Sequence, residues 1–286
     1  ALRAKDPLLS RILTWQRLVS YTSGASFEEI EAFSKTYPEW PSQNRLVARA
    51  EEMMSPGYPD AAVIVWYGAR PPTTPEGATR LAESLLADGR RAEAQRLIRK
   101  TWIEGNFGDQ QEAIFYKQFK AYLTKKDHID RLDRLVWAGR TGPAKRMYSK
   151  AGADYRALAE ARFALRSVSA GVDGALKRVP DKLADDPGLV FERIRWRRIK
   201  DRDDDAIQFL RESSDAVNVQ PVRWWNERSI LARRSLMKGH ITDAYRIAAN
   251  HHLTDGAELL DAEWMAGWIA LRFLKDNSIA YGHFTN

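Results

Sequence analysis

The five histidines are the first residues to examine for chemistry, and their spacing argues against it. They are His128, His240, His251, His252 and His283. None has H-E-x-x-H spacing, and the adjacent His251 and His252 would point about 100° apart on a helix, a poor geometry for one metal ion. The absence of cysteine excludes disulfides and Cys-ligated zinc. We therefore expect solvent-facing histidines at helix ends, with no metal and no other cofactor.

Motifs for nucleophilic or phosphate chemistry are missing from the sequence. No G-x-S-x-G, G-x-G-x-x-G or P-loop pattern occurs, and GNFGD at 105–109 has the wrong spacing. Glu258, Asp261 and Glu263 are close in sequence, but glycan cleavage needs an acid of raised pKa in a sugar-sized cleft, and no cleft is visible. We expect these carboxylates to be charges near a helix N-terminus, and we assign no catalytic residue.

The densest basic run is RIRWRRIKDR at 193–202. On one helix, Arg195, Arg198 and Arg202 would share a side at positions i, i+3 and i+7, and such a stripe could bind an anionic polymer. A solvated face with local Asp and Glu partners is the alternative. No RNP motif or homeodomain-like recognition helix accompanies the run, so we expect no nucleic-acid partner.

Tryptophan is frequent, with ten residues in the chain. Trp224 and Trp225 are adjacent, and Trp264 and Trp268 are one helical turn apart. Tryptophan stacks on sugar rings, but aromatic residues at helical spacing usually pack against a neighbouring helix, so we expect most of them in the core. Adjacent residues point in different directions on a helix, which makes Trp224 or Trp225 the better candidate for an exposed ring.

The charge balance favours anionic partners, such as nucleic acid, a membrane surface or a cell-wall polymer. The net charge is +7 and the isoelectric point is about 9.5. Because Lys and Arg are spread from end to end, an ordinary basic surface explains this charge as well. The most apolar stretch, LLDAEWMAGWIALRFLKD at 259–276, carries internal charges and is shorter than the ~20 apolar residues that a bilayer requires. We expect no transmembrane segment.

A repeated pattern organises most of the chain. An amphipathic helix, a short polar or glycine turn and a second helix opening near an alanine recur several times, and successive alanines are 50, 31, 31, 38 and 36 residues apart. Four of these gaps are near the ~34-residue period of tetratricopeptide-like helix pairs, and EAIFYKQFKAYL supplies an extra helix in the longest gap. The alanines are Ala94, Ala144, Ala175, Ala206, Ala244 and Ala280.

This pattern predicts an all-α fold, an α-superhelix of tetratricopeptide-like antiparallel hairpins, because a hairpin buries its apolar face only by stacking on the next. We divide the chain into an N-terminal helical part at 1–75 and a repeated hairpin array at 76–286. The run AAVIVWYG at 61–68 resembles a strand, but its helical surroundings favour a short buried helix. Ser26 and Glu29 have the spacing of a capping box.

Two runs resemble a known family. WWNER at 224–228 and DAEWMAGWIALRF at 261–273, in this order and about 30 residues apart, closely resemble the helical superdomain of the soluble lytic murein transglycosylases. Segments such as LTKKDHIDRLDRLVWAGRTGPAKRMY and YGARPPTTPEGATRLAESLLADGR extend the resemblance over nearly the whole chain. Repeat spacing alone would be much less specific.

The resemblance implies a periplasmic protein of Gram-negative bacteria, exported with a signal peptide that is absent here. Enzymes of this family cleave the MurNAc–GlcNAc bond of peptidoglycan and leave 1,6-anhydromuramyl ends, using one glutamate of a C-terminal lysozyme-like domain. That domain would lie beyond Asn286, so we expect an inactive fragment, truncated at its C-terminal end. The implied partners are peptidoglycan glycan strands, the missing catalytic domain and other cell-wall proteins.

Within this chain, the candidate residues for binding glycan or an anionic polymer are Arg195, Arg198, Arg202, Trp224 and Trp225. The alternative function is a stand-alone tetratricopeptide-like interaction module without a cell-wall role. It explains the repeats equally well but not the longer matches. A basic nucleic-acid-binding solenoid would explain the charge and little else.

Overall fold

The computed structural model describes residues 7–68, 70–212 and 219–286, and these ranges contain helices and turns but no strand. The all-α prediction is confirmed. The chain divides into two compact units, Ala1–Arg134 and Leu135–Asn286. The first unit contains α1 Pro7–Leu18, α2 Phe27–Thr36, α3 Gln43–Met53, α4 Asp60–Tyr67, α5 Pro75–Ala87, α6 Arg91–Glu104, α7 Asp109–Phe119 and most of α8 Lys125–Trp137.

The second unit begins within the last turn of α8. Its remaining helices are α9 Thr141–Ala151, α10 Ala153–Arg166, α11 Val172–Lys177, α12 Pro187–Ile199, α13 Asp203–Glu212, α14 Pro221–Met237, α15 Ile241–Ala249, α16 Gly256–Ile269 and α17 Asn277–Thr285. A π-helical turn, Ala270–Leu274, extends α16. The sequence-based division into 1–75 and 76–286 was placed where the repeat becomes regular, and it stays a prediction.

The predicted alanines mark the second helix of each hairpin. All six lie in such a helix and are at most 4% exposed. An alanine side chain allows close approach of the helix backbones, which is why this position is small in every repeat. Gly89, Gly139 and Gly239 follow the first helices with φ of 79°, 71° and 80°. A left-handed residue ends a helix in a tight turn, and glycine adopts it without a steric penalty.

Local signals set several helix boundaries as predicted. The Ser26 hydroxyl accepts from the Glu29 amide while the Glu29 carboxylate accepts from the Ser26 amide, so the capping box begins α2. The run at 61–68 forms most of α4 and the residue after it, so its helical interpretation is confirmed. EAIFYKQFKAYL forms the predicted extra helix, α7, followed by a short 3-10 turn.

Hairpins stack within each unit. Consecutive helices such as α5 and α6, or α14 and α15, pack side by side. First helices of successive hairpins also touch: α3 with α5 in the first unit, and α10, α12, α14 and α16 in turn in the second. This is the neighbour-to-neighbour contact of a helical repeat array. A superhelical course of the whole chain stays a prediction.

The second unit has the larger apolar core. It joins aromatic residues of α12 and α14 to the small residues of α15 and α16. In the first unit, α1 to α4 enclose a separate cluster around Phe27, Ile30 and Leu46. No helix in the described ranges has the length and apolar character to cross a membrane.

Candidate functional site

The predicted basic stripe is divided between a helix and a turn. Arg195 and Arg198 lie on α12, whereas Arg202 follows a turn in which Asp201 is left-handed, with φ 55°. Arg202 pairs with Asp205 at 2.5 Å. The prediction of one i, i+3, i+7 face is wrong, because the helix ends before its last member.

Arg195 and Arg198 face Glu227 of α14. Arg198 Nη2 donates to Glu227 Oε1 at 3.1 Å and its Nε donates to Oε2, while Arg195 Nε lies 3.8 Å from Oε1. The Arg198 and Glu227 side chains are only 14% and 7% exposed. The hydrogen bonds to Glu227 raise the pKa of the Arg198 guanidinium. Of the alternative prediction, a solvated face with local carboxylate partners, only the carboxylate partnership is confirmed. Glu227 lies 29 residues from Arg198 and the pair is largely buried, so these contacts join α12 to α14.

A similar joint connects α10 to α12. Arg166 Nε donates to Oε1 of the fully buried Glu192 at 2.7 Å, and Arg166 Nη1 donates to the Val136 carbonyl at 2.6 Å. Sequence reasoning missed both buried carboxylates. The available signal was that Glu192 and Glu227 each precede an arginine in the middle of the first helix of a repeat.

Neither residue of the tryptophan pair is exposed. Trp224 and Trp225 are 0% and 2% exposed, so the prediction that one ring would face solvent is wrong. Trp224 packs edge-on against Phe191 at 5.2 Å between ring centroids. Trp225 lies edge-on to His251. Neighbouring helices cover α14 on two sides. The rings of Trp224 and Trp225 point to different sides of this helix, and each ring packs against a neighbour.

The two runs that carry the family resemblance meet in space. Trp225 of WWNER donates its indole N–H to Asp261 of DAEW at 2.8 Å. Arg228 of the same run is 4% exposed and donates to the Ile247 carbonyl of α15 at 3.0 Å. Burial lowers the pKa of Arg228 to about 10. The WWNER and DAEW segments therefore take part in one packed contact between α14, α15 and α16.

The exposed tryptophan lies elsewhere, on α16. Trp264 is 56% exposed and is an exception to the expectation that most of the tryptophans lie in the core. Its ring stacks on Trp268 with centroids 5.9 Å apart and planes at 8°, and Trp268 meets Phe273 edge-on. Leu260, one turn before Trp264, is 68% exposed, so an apolar strip runs along this side of the helix.

The sequence carried a signal for this strip. Ala262, Ala266 and Ala270 are fully buried and form the close-contact face of α16 and its π-helical extension. A residue two positions further on lies about 200° away around a helix, on the opposite side. Trp264 and Trp268 stand in that relation to the first two alanines.

A chain of polar side chains connects α17 to α15 and α16. The Tyr245 hydroxyl is 3.0 Å from His283 Nε2, His283 Nδ1 hydrogen-bonds to Glu263, and His251 Nε2 lies 3.3 Å from Glu263 Oε1. The Leu253 amide donates to His251 Nδ1 at 3.0 Å. Neutral His251 therefore carries its proton on Nε2 and donates it to Glu263.

These contacts correct the expectation of solvent-facing histidines for His128, His251 and His283, whereas His240 and His252 are exposed as expected. His128 and His251 are 8% and 7% exposed, and the Trp102 indole donates to His128 Nδ1 at 3.0 Å. Glu263 is likewise a half-buried residue in the middle of α16, whereas Glu258 lies in its first turn as predicted. Across the described ranges, no group of three or more His, Cys, Asp and Glu side chains could hold a metal ion.

Comparison with known proteins does not assign the chain to a family. No protein-family model matches the chain, and no curated protein matches its sequence significantly. The resemblance carried by WWNER and DAEWMAGWIALRF thus stays a prediction.

Proposed function

We propose that this chain is the helical scaffold of a peptidoglycan lytic transglycosylase in the periplasm of a Gram-negative bacterium. The observation that carries the proposal is the contact between the two runs of the resemblance, in which Trp225 donates to Asp261. A scaffold requires the residues that determine how α14 and α16 pack, irrespective of what its surface binds. Cleavage of the MurNAc–GlcNAc bond belongs to a catalytic domain, and the scaffold holds the glycan strand for it.

The exposed ring of Trp264 is the part of this surface best suited to a sugar. One of its faces stacks on Trp268, and 56% of the residue is exposed. A flat aromatic face packs against the C–H groups of a sugar ring, and a partner stacked behind it holds that face in place. Arg195, Arg198 and Arg202 are half-buried or ion-paired. We therefore expect them to attract an anionic polymer by their charge and not to contact it directly.

Co-sedimentation with purified murein sacculi tests the proposal. We expect the chain to pellet with sacculi and to release no anhydromuropeptides, because no residue matches the family's catalytic motif. Trp264→Ala should reduce the bound fraction severalfold. Tyr21→Ala removes a comparably exposed aromatic ring, 63% exposed, in the other unit and is the matched control.

Failure of the wild-type chain to pellet with sacculi would contradict the scaffold proposal. Equal losses in the two variants would contradict the role of Trp264 but not the scaffold proposal.

The second candidate function is a stand-alone tetratricopeptide-like interaction module. The stacking of first helices within each unit favours it, since such stacks present a continuous surface to a partner.

A further inference from the structure

An open groove lies in the first unit between α3, α5 and α7. Its volume is about 910 Å³, which is enough for several amino-acid side chains. Ile114, which is 66% exposed, supplies apolar surface, and the buried residues Met54 and Phe115 are part of the lining. All of these helices belong to one compact unit, so the groove is a property of that unit alone.

The charge of this groove is opposite to that of the chain. Its described lining contains five carboxylates and one guanidinium, whereas the chain carries +7. The guanidinium, Arg80, is 8% exposed and is engaged by Asp60 at 2.8 Å and Ser84 at 2.9 Å. Arg80 therefore neutralises Asp60 beside the groove and Arg49 pairs with Glu52, which leaves Glu76 and Glu83 as the acidic side chains of α5 that line the groove.

Two of those carboxylates are held in fixed positions by neutral partners. Gln111 Nε2 donates to Glu76, and Gln118 Nε2 donates to Glu83 Oε1 at 2.5 Å. Glutamine amides orient a carboxylate without cancelling its charge. In the described part of the chain, Glu76 has no ion pair, and the only basic group near Glu83 is Arg80, at 3.9 Å.

The spacing of these groups defines a recognition pattern. Glu76 and Glu83 are seven residues apart on α5, about 10.5 Å along the helix axis. Gln111, Ile114 and Gln118 run beside them on α7, so the exposed Ile114 lies between the two Gln–Glu pairs. An extended peptide places residues i, i+2 and i+4 on one face over about 13 Å. Flexible lysine side chains cover the difference of about 2.5 Å.

We propose that this groove binds an extended basic peptide segment of a partner protein, with the pattern Lys/Arg-x-apolar-x-Lys/Arg. The apolar side chain contacts Ile114, and the two cations pair with Glu76 and Glu83. This binding is independent of peptidoglycan and of the proposed scaffold role.

Fluorescence anisotropy with labelled, end-capped seven-residue peptides tests the proposal. The probe has leucine between two lysines at i and i+4, and the comparison peptides replace either both lysines by glutamate or leucine by serine. We expect the lysine–leucine peptide to bind with a Kd below 1 mM, and each replacement to weaken binding. Rising salt should weaken the lysine–leucine complex, because the ion pairs lie at an open rim.

The protein variant is the double substitution Glu76→Gln and Glu83→Gln, which keeps the shape of both side chains. Two rim pairs of ordinary strength predict a loss of affinity of roughly tenfold. The matched control is Glu28→Gln with Glu39→Gln, which changes the net charge equally at exposed positions on and after α2. Far-UV circular dichroism and a urea titration establish that both variants are folded.

Three results would overturn the proposal. The first is no binding of the lysine–leucine peptide up to 1 mM, and the second is equal binding of the glutamate peptide. The third is an equal effect of the two double variants, which would assign the attraction to net charge. Sacculus binding by the Glu76→Gln, Glu83→Gln variant should match that of the equally charged Glu28→Gln, Glu39→Gln control, so a failed scaffold proposal and a failed groove proposal are distinguished.

Discussion

Two glycines of this protein lie where an added Cβ would meet a neighbouring side chain closely. A Cβ at Gly267 would lie 2.7 Å from the ring of Phe284 on α17. Gly188, in the first turn of α12, is more tightly enclosed. A Cβ there would lie 2.1 Å from the guanidinium of Arg162, which is itself 1% exposed.

Gly188→Ala should destabilise the protein by about 1–3 kcal/mol, because a buried arginine has to move to make room. Gly174→Ala is the matched control. Its Cβ would meet only the end of the Arg178 side chain at 3.9 Å, and alanine should be neutral or stabilising by up to about 1 kcal/mol within α11. Urea denaturation of both variants measures the difference. Equal free energies of unfolding would contradict the packing argument.

At the scale of elements, arginine–carboxylate joints align successive first helices. Arg166 with Glu192 joins α10 to α12, and Arg198 with Glu227 joins α12 to α14. Both carboxylates are buried, so each depends on its arginine partner to offset the cost of losing water. We expect these buried pairs to specify which neighbour each helix packs against, in addition to any stability they supply.

Glu227→Ala should therefore cost about 1–3 kcal/mol, because it leaves the largely buried Arg198 without its partner. Glu93→Ala removes a solvent-exposed partner of Arg90 on α6 and should leave the stability almost unchanged. Thermal or urea unfolding of the two variants provides the comparison. A loss for Glu93→Ala as large as that for Glu227→Ala would refute the distinction between buried joints and surface pairs.

The polar chain that connects α17 to its neighbours contains two groups whose pKa the fold lowers, His251 and Glu263. Burial lowers the pKa of His251 from 6.5, against a smaller opposing effect of Glu263. Burial also acts to raise the pKa of Glu263, but the hydrogen bonds from His283 and Asn286 outweigh it and lower that pKa from 4.5. Protonating His251 on Nδ1 would in addition break the hydrogen bond from the Leu253 amide.

The stability of the second unit should fall as the pH decreases below about 6.5. His251 takes up a proton more readily when unfolded, so its contribution is complete above 6.5 and is lost as the pH falls toward its lower folded value. Glu263 adds a further loss below about 4.5. Urea midpoints at pH 7.5 and 5.5 measure the first effect.

His251→Gln should reduce this difference between the two midpoints, because glutamine can still donate to Glu263 but does not titrate. His240→Gln replaces an exposed histidine at the start of α15 and serves as the control. An unchanged pH dependence in His251→Gln would show that other groups are responsible.

At the scale of the whole molecule, the charge of +7 favours an anionic polymer. We expect sacculus binding to fall severalfold between 0.05 and 0.5 M NaCl, since the screening length shortens from roughly 14 to 4 Å over this range. Chitin, a neutral glycan, is the matched matrix, and its binding should change little. Equal salt sensitivity on both matrices would contradict an electrostatic contribution.

How far the sequence predicts the structure differs between the array and the candidate site. The hairpins, their alanines, the capping box and the short helix at 61–68 were predictable, because each depends on neighbours within about one repeat. The candidate site was not. The arginine stripe was assigned to one continuous helix, and one residue of the Trp224–Trp225 pair was expected at the surface. The first inference failed because α12 ends at Ile199, before Arg202, and the second required knowledge of which helices flank α14.

By itself, the sequence determined that the chain folds as helical hairpins with close contacts at small residues. Periodicity and turn residues act over a few positions, so they are readable without a structure. Only the tertiary structure decided that Trp225 bonds to Asp261, that Trp264 is exposed, and that Glu76 and Glu83 border a groove. Burial and pairing depend on residues 30 or more positions away, and their partners become known only when the hairpins are stacked.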